Sequence, residues 1–221
     1  MSLTADLESL VKSGVHRMGE LEFQPNDSAS AYHLCHWRDS EYLAVPEFGG
    51  LVRHDGPKSA RDLSIETADG HYRFSKGERN LKRGWVMVLA NTDQLRQALD
   101  QFYPAGVGLY LAQRRGTLET QNLRDKLERQ SGMYRSARHI SDAGAQQLVE
   151  KFCGPTHRCA KRILWQLDAR TPLLKTVASQ FLGMPEDTPD GVAIPLLCRE
   201  ACNQMVAECC RVAKAEAAPT S

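Results

Sequence analysis

Cys153-Gly-Pro-Thr-His-Arg-Cys159 is followed, well downstream, by Cys198-Arg-Glu-Ala-Cys202. The amino terminus, Met1-Ser-Leu-Thr-Ala-Asp-Leu-Glu, has neither the basic start nor the apolar run of a secretory signal. Thiols inside cells stay reduced, so two spaced cysteine pairs read as one four-thiolate metal site rather than as two disulfides. The chain before Ser141 then reads as folded protein that holds or presents this site.

Local patterns place the four thiols on element ends. Ser141 and Asp142 can open a helix through Leu148, Val149 and Phe152, with Gly154 just past its end. Pro155 and Thr156 allow a second helix to start at once, carrying Cys159, Ile163, Leu164 and Trp165. Cys198 and Cys202 are four apart at the start of a last helix over about Arg199 to Ala215, which predicts both on one face. Two such pairs can enclose one ion or one cluster.

Structural zinc usually draws on pairs roughly two to four residues apart. The five-residue gap between Cys153 and Cys159 is wide for that, whereas a cubane tolerates wider and less regular spacing. The tight cysteine run of bacterial ferredoxins is absent. Spacing alone therefore leaves a 4Fe–4S cluster, zinc and unligated core thiols open. Cys209 lies seven residues beyond Cys202, roughly 10 Å along a helix, and with Cys210 reads as a core thiol. His157 could replace one thiolate, but centres with histidine ligands use two, so a supporting or surface place is expected. Arg158, Lys161, Arg162 and Arg199 would offset the negative charge of four thiolates.

The chain is 221 residues long, 42% hydrophobic and 25% charged, with a formal net charge of +1. That length can bury one large core or two modest ones, and two are expected. The near-neutral balance lacks the field that nucleic-acid binders carry, so a nucleic-acid partner is not expected. No segment approaches the roughly 18 apolar residues of a membrane span, and a cytoplasmic protein is expected.

The front of the chain alternates short elements. Leu3, Leu7, Leu10 and Val11 recur at helical spacing. Tyr32 to Trp37 and Glu41 to Val45 read as strands joined across Arg38-Asp-Ser. Cys35 and His36, adjacent on the first of these, point to opposite faces and so cannot jointly face one metal. Gly49-Gly50 and Asp55-Gly56 punctuate a connection without the setting of a phosphate-binding loop. Leu63 to Thr67 and His71 to Phe74 flank Asp69-Gly70, a two-residue hairpin signal. Trp85 to Ala90 reads as a buried strand, Thr92 to Phe102 as a helix stopped by Pro104, Val107 to Leu111 as a strand and Leu118 to Gln130 as a helix. A short helix at Leu174 to Leu182 is also expected. The fold class is α+β: a mixed α/β domain with antiparallel hairpins over 1–138, then a mainly helical four-cysteine domain over 139–221. Lys82, Arg83, Arg114, Arg115, Arg124, Arg129, Arg135 and Arg138 make the middle locally basic, either as solvated charges or as a docking surface for an acidic partner or carboxylate-bearing ligand.

Four features together carry a family resemblance: Asn80-Leu-Lys-Arg-Gly-Trp85, Gln101-Phe-Tyr-Pro-Ala-Gly-Val-Gly-Leu-Tyr-Leu-Ala112, Gln130-Ser-Gly-Met-Tyr-Arg135 and the cysteine pairs. Over roughly residues 70 to 213 the chain resembles the carboxyl-terminal part of sirohydrochlorin cobaltochelatase-like proteins, a stabilising region followed by a cluster-binding domain. The resemblance implies a 4Fe–4S cubane held by Cys153, Cys159, Cys198 and Cys202, and a link to tetrapyrrole metal chemistry. No chelatase module precedes the resembling region and no histidine pair suits metal insertion, so chelatase activity is not carried over. The expectation is a stand-alone iron–sulfur protein working in electron transfer or as accessory to a partner redox or chelatase-type enzyme. Two alternatives are an enzyme that binds a tetrapyrrole or polycarboxylate, and a zinc-stapled structural domain.

Overall fold

The structure, a computed structural model, describes residues 2–12, 14–26, 31–153, 159–168, 170, 187–188 and 191–218, with the backbone alone at 133, 187 and 188. It is an α+β protein in two compact units. One comprises 1–116 with 179–196, the other 117–178 with 197–221. The predicted helix at 174–182, together with Gly154 to Arg158, lies outside the described residues.

The first unit is a mixed sheet. β1 (His16–Met18), β2 (Leu21–Pro25) and β3 (Tyr32–His36) form an antiparallel meander, and β3 pairs antiparallel with β5 (Trp85–Leu89). β4 (Val52–Asp55) lies parallel to β5 at one edge. At the other edge β8 (Gly191–Ile194) runs parallel to β1 and carries the two-residue β7 (Asp187–Thr188). Trp85, Val86 and Met87 are all buried, as befits a strand covered on both faces.

Three helices of this unit are α1 (Leu3–Leu10), α3 (Thr92–Phe102) and α4 (Gly106–Arg114), with the short α2 (Ala60–Ser64) between strands. In α3, Leu95, Ala98, Leu99 and Phe102 are fully buried at helical spacing. Phe102 stacks on Trp85 with ring centroids 5.2 Å apart. Gly191 is required at its position, because an added Cβ would lie 1.6 Å from the Val15 carbonyl oxygen.

Several predicted elements differ, each for a local reason. Residues 41–45 are not a strand: Trp37–Ala44 is a 3-10 segment. Its Asp39, 2% exposed, accepts bonds from Arg83 Nε at 2.9 Å and the Gly84 N–H at 2.8 Å, which folds the chain inward. The Asp69-Gly70 turn forms, with Gly70 N–H donating to the Thr67 carbonyl at 2.9 Å, but its arms make isolated bridges instead of strands. Val107 to Leu111 is helical, since Val107, Tyr110 and Leu111 fall on one helix face and are buried; Gly106 and Gly108 disguise this. Helix α3 spans the predicted Thr92 to Phe102 and is capped by Asn91, whose side chain accepts from the Gln94 N–H at 3.0 Å.

The second unit packs α5 (Leu123–Glu128), a 3-10 segment (Gly132–His139), α6 (Asp142–Cys153) and α7 (Asn203–Glu216) around two short parallel strands, β6 (Arg162–Ile163) and β9 (Leu197–Cys198). Leu123, Leu127, Leu148, Val149, Ile163, Trp165, Met205 and Val206 lie in one buried core. The predicted helix over 118–130 starts only at Leu123. Upstream, the Gln121 N–H donates to the Arg199 carbonyl, and those of Leu123 and Arg124 donate to Gln166 and Leu167. The first turn of α5 thereby satisfies orphan donors on the segment after Cys159, and Gln121 just before it ties to the segment after Cys198.

Candidate metal centre

Cys153 is the last residue of α6, half-buried against the core that Leu148 and Val149 of the same helix enter. Ser141 caps that helix, its Oγ accepting from the Gly144 N–H at 2.9 Å. Cys159, also half-buried, lies three residues before β6. It is not one turn into a helix, and the reason is pairing: Arg162 and Ile163 align with Leu197 and Cys198, and the Leu164 N–H donates to the Cys198 carbonyl at 3.0 Å.

Cys198 and Cys202 do not share a helix face. Cys198 ends β9, and Cys202 is the N-cap of α7, with extended backbone at φ −72°, ψ 163°. Between them Ala201 is buried, and Glu200 meets Lys126 at 3.2 Å, so the corner is anchored at both ends. The Cys198 thiol donates to the Glu200 carbonyl at 3.1 Å. Cys202 is exposed and makes no side-chain cap bond at the N-terminus of α7, the helix end whose dipole favours negative charge.

The thiols feel one another. Burial pushes the Cys153 thiol well above the ordinary thiol range, and the negative forms of Cys159, Cys198, Cys202 and Cys209 push it further. Cys198 is pushed up to about 11, by burial first; Cys202 and Cys159 add to the rise, while Lys161 and the Trp165 side chain oppose it. Thiols that raise one another in this way are a donor set whose chemistry suits a cationic metal centre, which would replace their protons and remove their repulsion. Among the described residues, no group of three or more His, Cys, Asp or Glu side chains closes around a single-ion position.

The other sequence candidates lie elsewhere. Cys209 is fully buried in α7 and pushed up to about 12, chiefly by burial and then by Cys202; Cys210 meets Ser136 Oγ at 3.2 Å. Cys35 and His36 sit in β3 of the first unit. His36 Nε2 is 3.6 Å from Glu20, while burial, with Glu22 and Asp39 adding, raises the Cys35 thiol. Of the four cations near the thiols, Lys161 acts on Cys198, Arg162 is on β6 and Arg199 is exposed; Arg158 and His157 fall outside the described residues. Half of the eight basic residues of the middle are ion-paired: Lys82 with Glu66, Arg83 with Asp39, Arg115 with Asp6, and Arg124 with Asp142 and Asp168.

Residues 4–114 match the DR2241 stabilising domain family. The chain belongs to that family. The stabilising domain covers α1 to the end of α4, and residues 115–211 match the 4Fe-4S iron-sulfur cluster binding domain, which contains all six cysteines from Cys153 to Cys210. Among solved structures, the chain is similar to DR2241 from Deinococcus radiodurans, described as a multi-domain protein with structural similarity to chelatases and two additional novel domains. The identity is 24% and the TM-score 0.72, over 96% of this chain. This chain spans 41% of that one. No curated protein matches it.

Two sets of residues beside the stabilising and cluster-binding signatures escaped the sequence reading. One is Glu20 with Arg73, a buried ion pair at 3.4 Å between strand turn and loop. The other is Trp165, which the sequence placed on a helix with Cys159, but whose indole is buried in the core of the second unit and acts on the Cys198 thiol. Neither follows a motif; only the register of the chain segments reveals them.

Proposed function

We propose that Cys153, Cys159, Cys198 and Cys202 are the ligands of a 4Fe–4S cluster, and that the protein serves electron transfer to a partner enzyme or organises that partner. The observation that carries this reading is that the four cysteines, at a helix end, just before and on a parallel ladder, and at a helix N-cap, all lie within the stretch that matches the cluster-binding family. When bound, such a centre supplies one-electron redox chemistry, with its irons already satisfied by sulfur.

The chain's own residues divide the work. The β6–β9 ladder fixes Cys198 relative to the segment after Cys159. The core beneath excludes water from one side, while exposed Cys202 leaves the other side open to a partner. Lys161 and the N-terminus of α7 offset negative charge on the sulfurs. Because the similar solved protein is described as chelatase-like, a tetrapyrrole-handling or chelatase-type enzyme is the partner class to test first.

The test is redox cycling of the anaerobically reconstituted protein. Reversible bleaching by dithionite and recovery on mild oxidation, with iron retained, is expected. A cluster that forms but is destroyed by reduction would replace this reading with a structural one.

A further inference from the structure

β4 is an edge strand of the seven-stranded sheet, with β5 on its inner side. Its register on β5 decides which main-chain groups are already bonded. The Val52 N–H donates to the Gly84 carbonyl at 3.0 Å and the Gly56 N–H to the Val88 carbonyl at 2.9 Å, so residues 52, 54 and 56 face β5 with their main-chain groups while Arg53 and Asp55 face outward. Among the described residues, no group bonds to the outward N–H or C=O of either.

An open edge is a template for another strand, and chains commonly blunt one with charge, lysine above all. β4 carries both signs instead. Arg53 and Asp55 are two apart and so lie on one face of the sheet, with side chains 57% and 74% exposed. Arg53 Nε and Nη2 both donate to the same Asp55 oxygen, Oδ1, at 2.9 Å, which leaves Asp55 Oδ2 and Arg53 Nη1 for a further partner.

A strand of identical sequence laid antiparallel matches this pattern. With His54 on a two-fold axis, Arg53 stands opposite the partner's Asp55, and Asp55 opposite the partner's Arg53. These are the residues whose main-chain groups face outward, so each pair can also exchange both of its N–H···O bonds. A register one residue away sets outward-facing groups against inward-facing ones. Two residues away, Arg53 meets its own copy or Asp55 meets its own, and like charges directly opposite are destabilising. On the other face the exposed Val52 meets the partner's Gly56, so no bulky side chain blocks the approach.

We propose that β4 is a self-association edge: two copies of this chain pair antiparallel through Arg53 and Asp55 and continue the sheet across a two-fold axis. Charge and main-chain register together select a second copy over an unrelated strand. The contact is isologous, so it closes at a dimer. A strand this short buries little area, which sets a weak, concentration-dependent association. None of it depends on the cysteine region.

The experiment is sedimentation equilibrium of the anaerobically purified full chain up to about 1 mM. A monomer–dimer equilibrium is expected. Arg53→Asp leaves the edge with carboxylates alone and Asp55→Arg leaves it with guanidiniums alone, and each should weaken dimerisation about tenfold. Combining the two substitutions in one chain reverses both charges but keeps the match, and should bring the affinity back to within about threefold of the unaltered protein. An equimolar mixture of the two single variants should form a heterodimer tighter than either homodimer. All these changes are at exposed positions, so they leave the core intact. An unaltered chain that stays monomeric throughout, a species larger than a dimer, or a doubly exchanged chain as weak as the single variants overturns the inference. Iron and sulfide, analysed in the same samples, should be equal in all of them, so this inference and the cluster reading fail separately.

Discussion

Leu164 donates its main-chain N–H to the carbonyl of Cys198 at 3.0 Å, one step beyond the Ile163–Cys198 register. This backbone bond needs no metal, and the core around Leu148, Met205 and Val206 needs none either. The second unit thus has its own reasons to fold, unlike a domain stapled only by its ion. Cys198→Ala and Cys153→Ala should each lose most of the bound iron yet keep the far-ultraviolet dichroism of the metal-free protein. Cys209→Ala, which removes a fully buried thiol outside the proposed ligand set, should retain iron. Iron retention by Cys198→Ala would remove that residue from the set.

The buried thiols make the metal-free protein sensitive to alkali. Cys209 is pushed up to about 12, mainly by burial, while an unfolded thiol titrates near about 8.5. Its protonated form is the one the fold accepts. The contribution is complete below about pH 8.5 and is lost as pH rises towards the folded value. Urea midpoints of metal-free protein should fall from about pH 9 to about pH 11, and less steeply for Cys209→Ala. Equal slopes would remove Cys209 as a source of the sensitivity.

Arg73 has a side chain wholly out of solvent and pairs with Glu20 at 3.4 Å; Glu20 also accepts the Leu81 N–H at 2.9 Å. Removing one partner leaves a buried charge, at a cost of about 3–5 kcal/mol. Arg73→Met should therefore destabilise the first unit far more than the double change Arg73→Met with Glu20→Gln. Denaturant titration of the unaltered protein, both single variants and the double variant checks this, and additive losses would deny the coupling.

At Gly191 the conflict is with backbone, since a Cβ would meet the Val15 carbonyl oxygen at 1.6 Å and its carbon at 2.7 Å. No side chain can move aside. Gly191→Ala should separate β8 from β1 and expose the amides of Val192 to Ile194 to faster hydrogen exchange, with a destabilisation of about 2 kcal/mol or more. Unchanged exchange there would mean that β8 shifts as a body.

Long periodic segments were legible in the sequence: Leu95, Ala98, Leu99 and Phe102 announce α3, and Leu148 with Val149 announces α6. So was the grouping of cysteines in the last third, where the matching cluster-binding domain lies. What failed was the local geometry around Cys159 and Cys198. Ile163, Leu164 and Trp165 suit a helix in isolation, but Ile163 and Leu164 are committed to β9, and the carbonyls of Gln166 and Leu167 just beyond accept from the start of α5. Such pairing joins residues more than thirty positions apart, and no local propensity encodes it. Likewise, the four-residue spacing of Cys198 and Cys202 fits a helix face, but Cys202 caps α7 rather than riding on it.

The central claim is that four thiols of the second unit hold a 4Fe–4S cluster, and one measurement bears on it most directly. Protein purified without oxygen should be brown and contain about four iron and four sulfide per chain. Its electron paramagnetic resonance spectrum should be silent as isolated and should show a spin-half signal after dithionite. Colourless protein with stoichiometric zinc, and no signal after dithionite, would contradict the account.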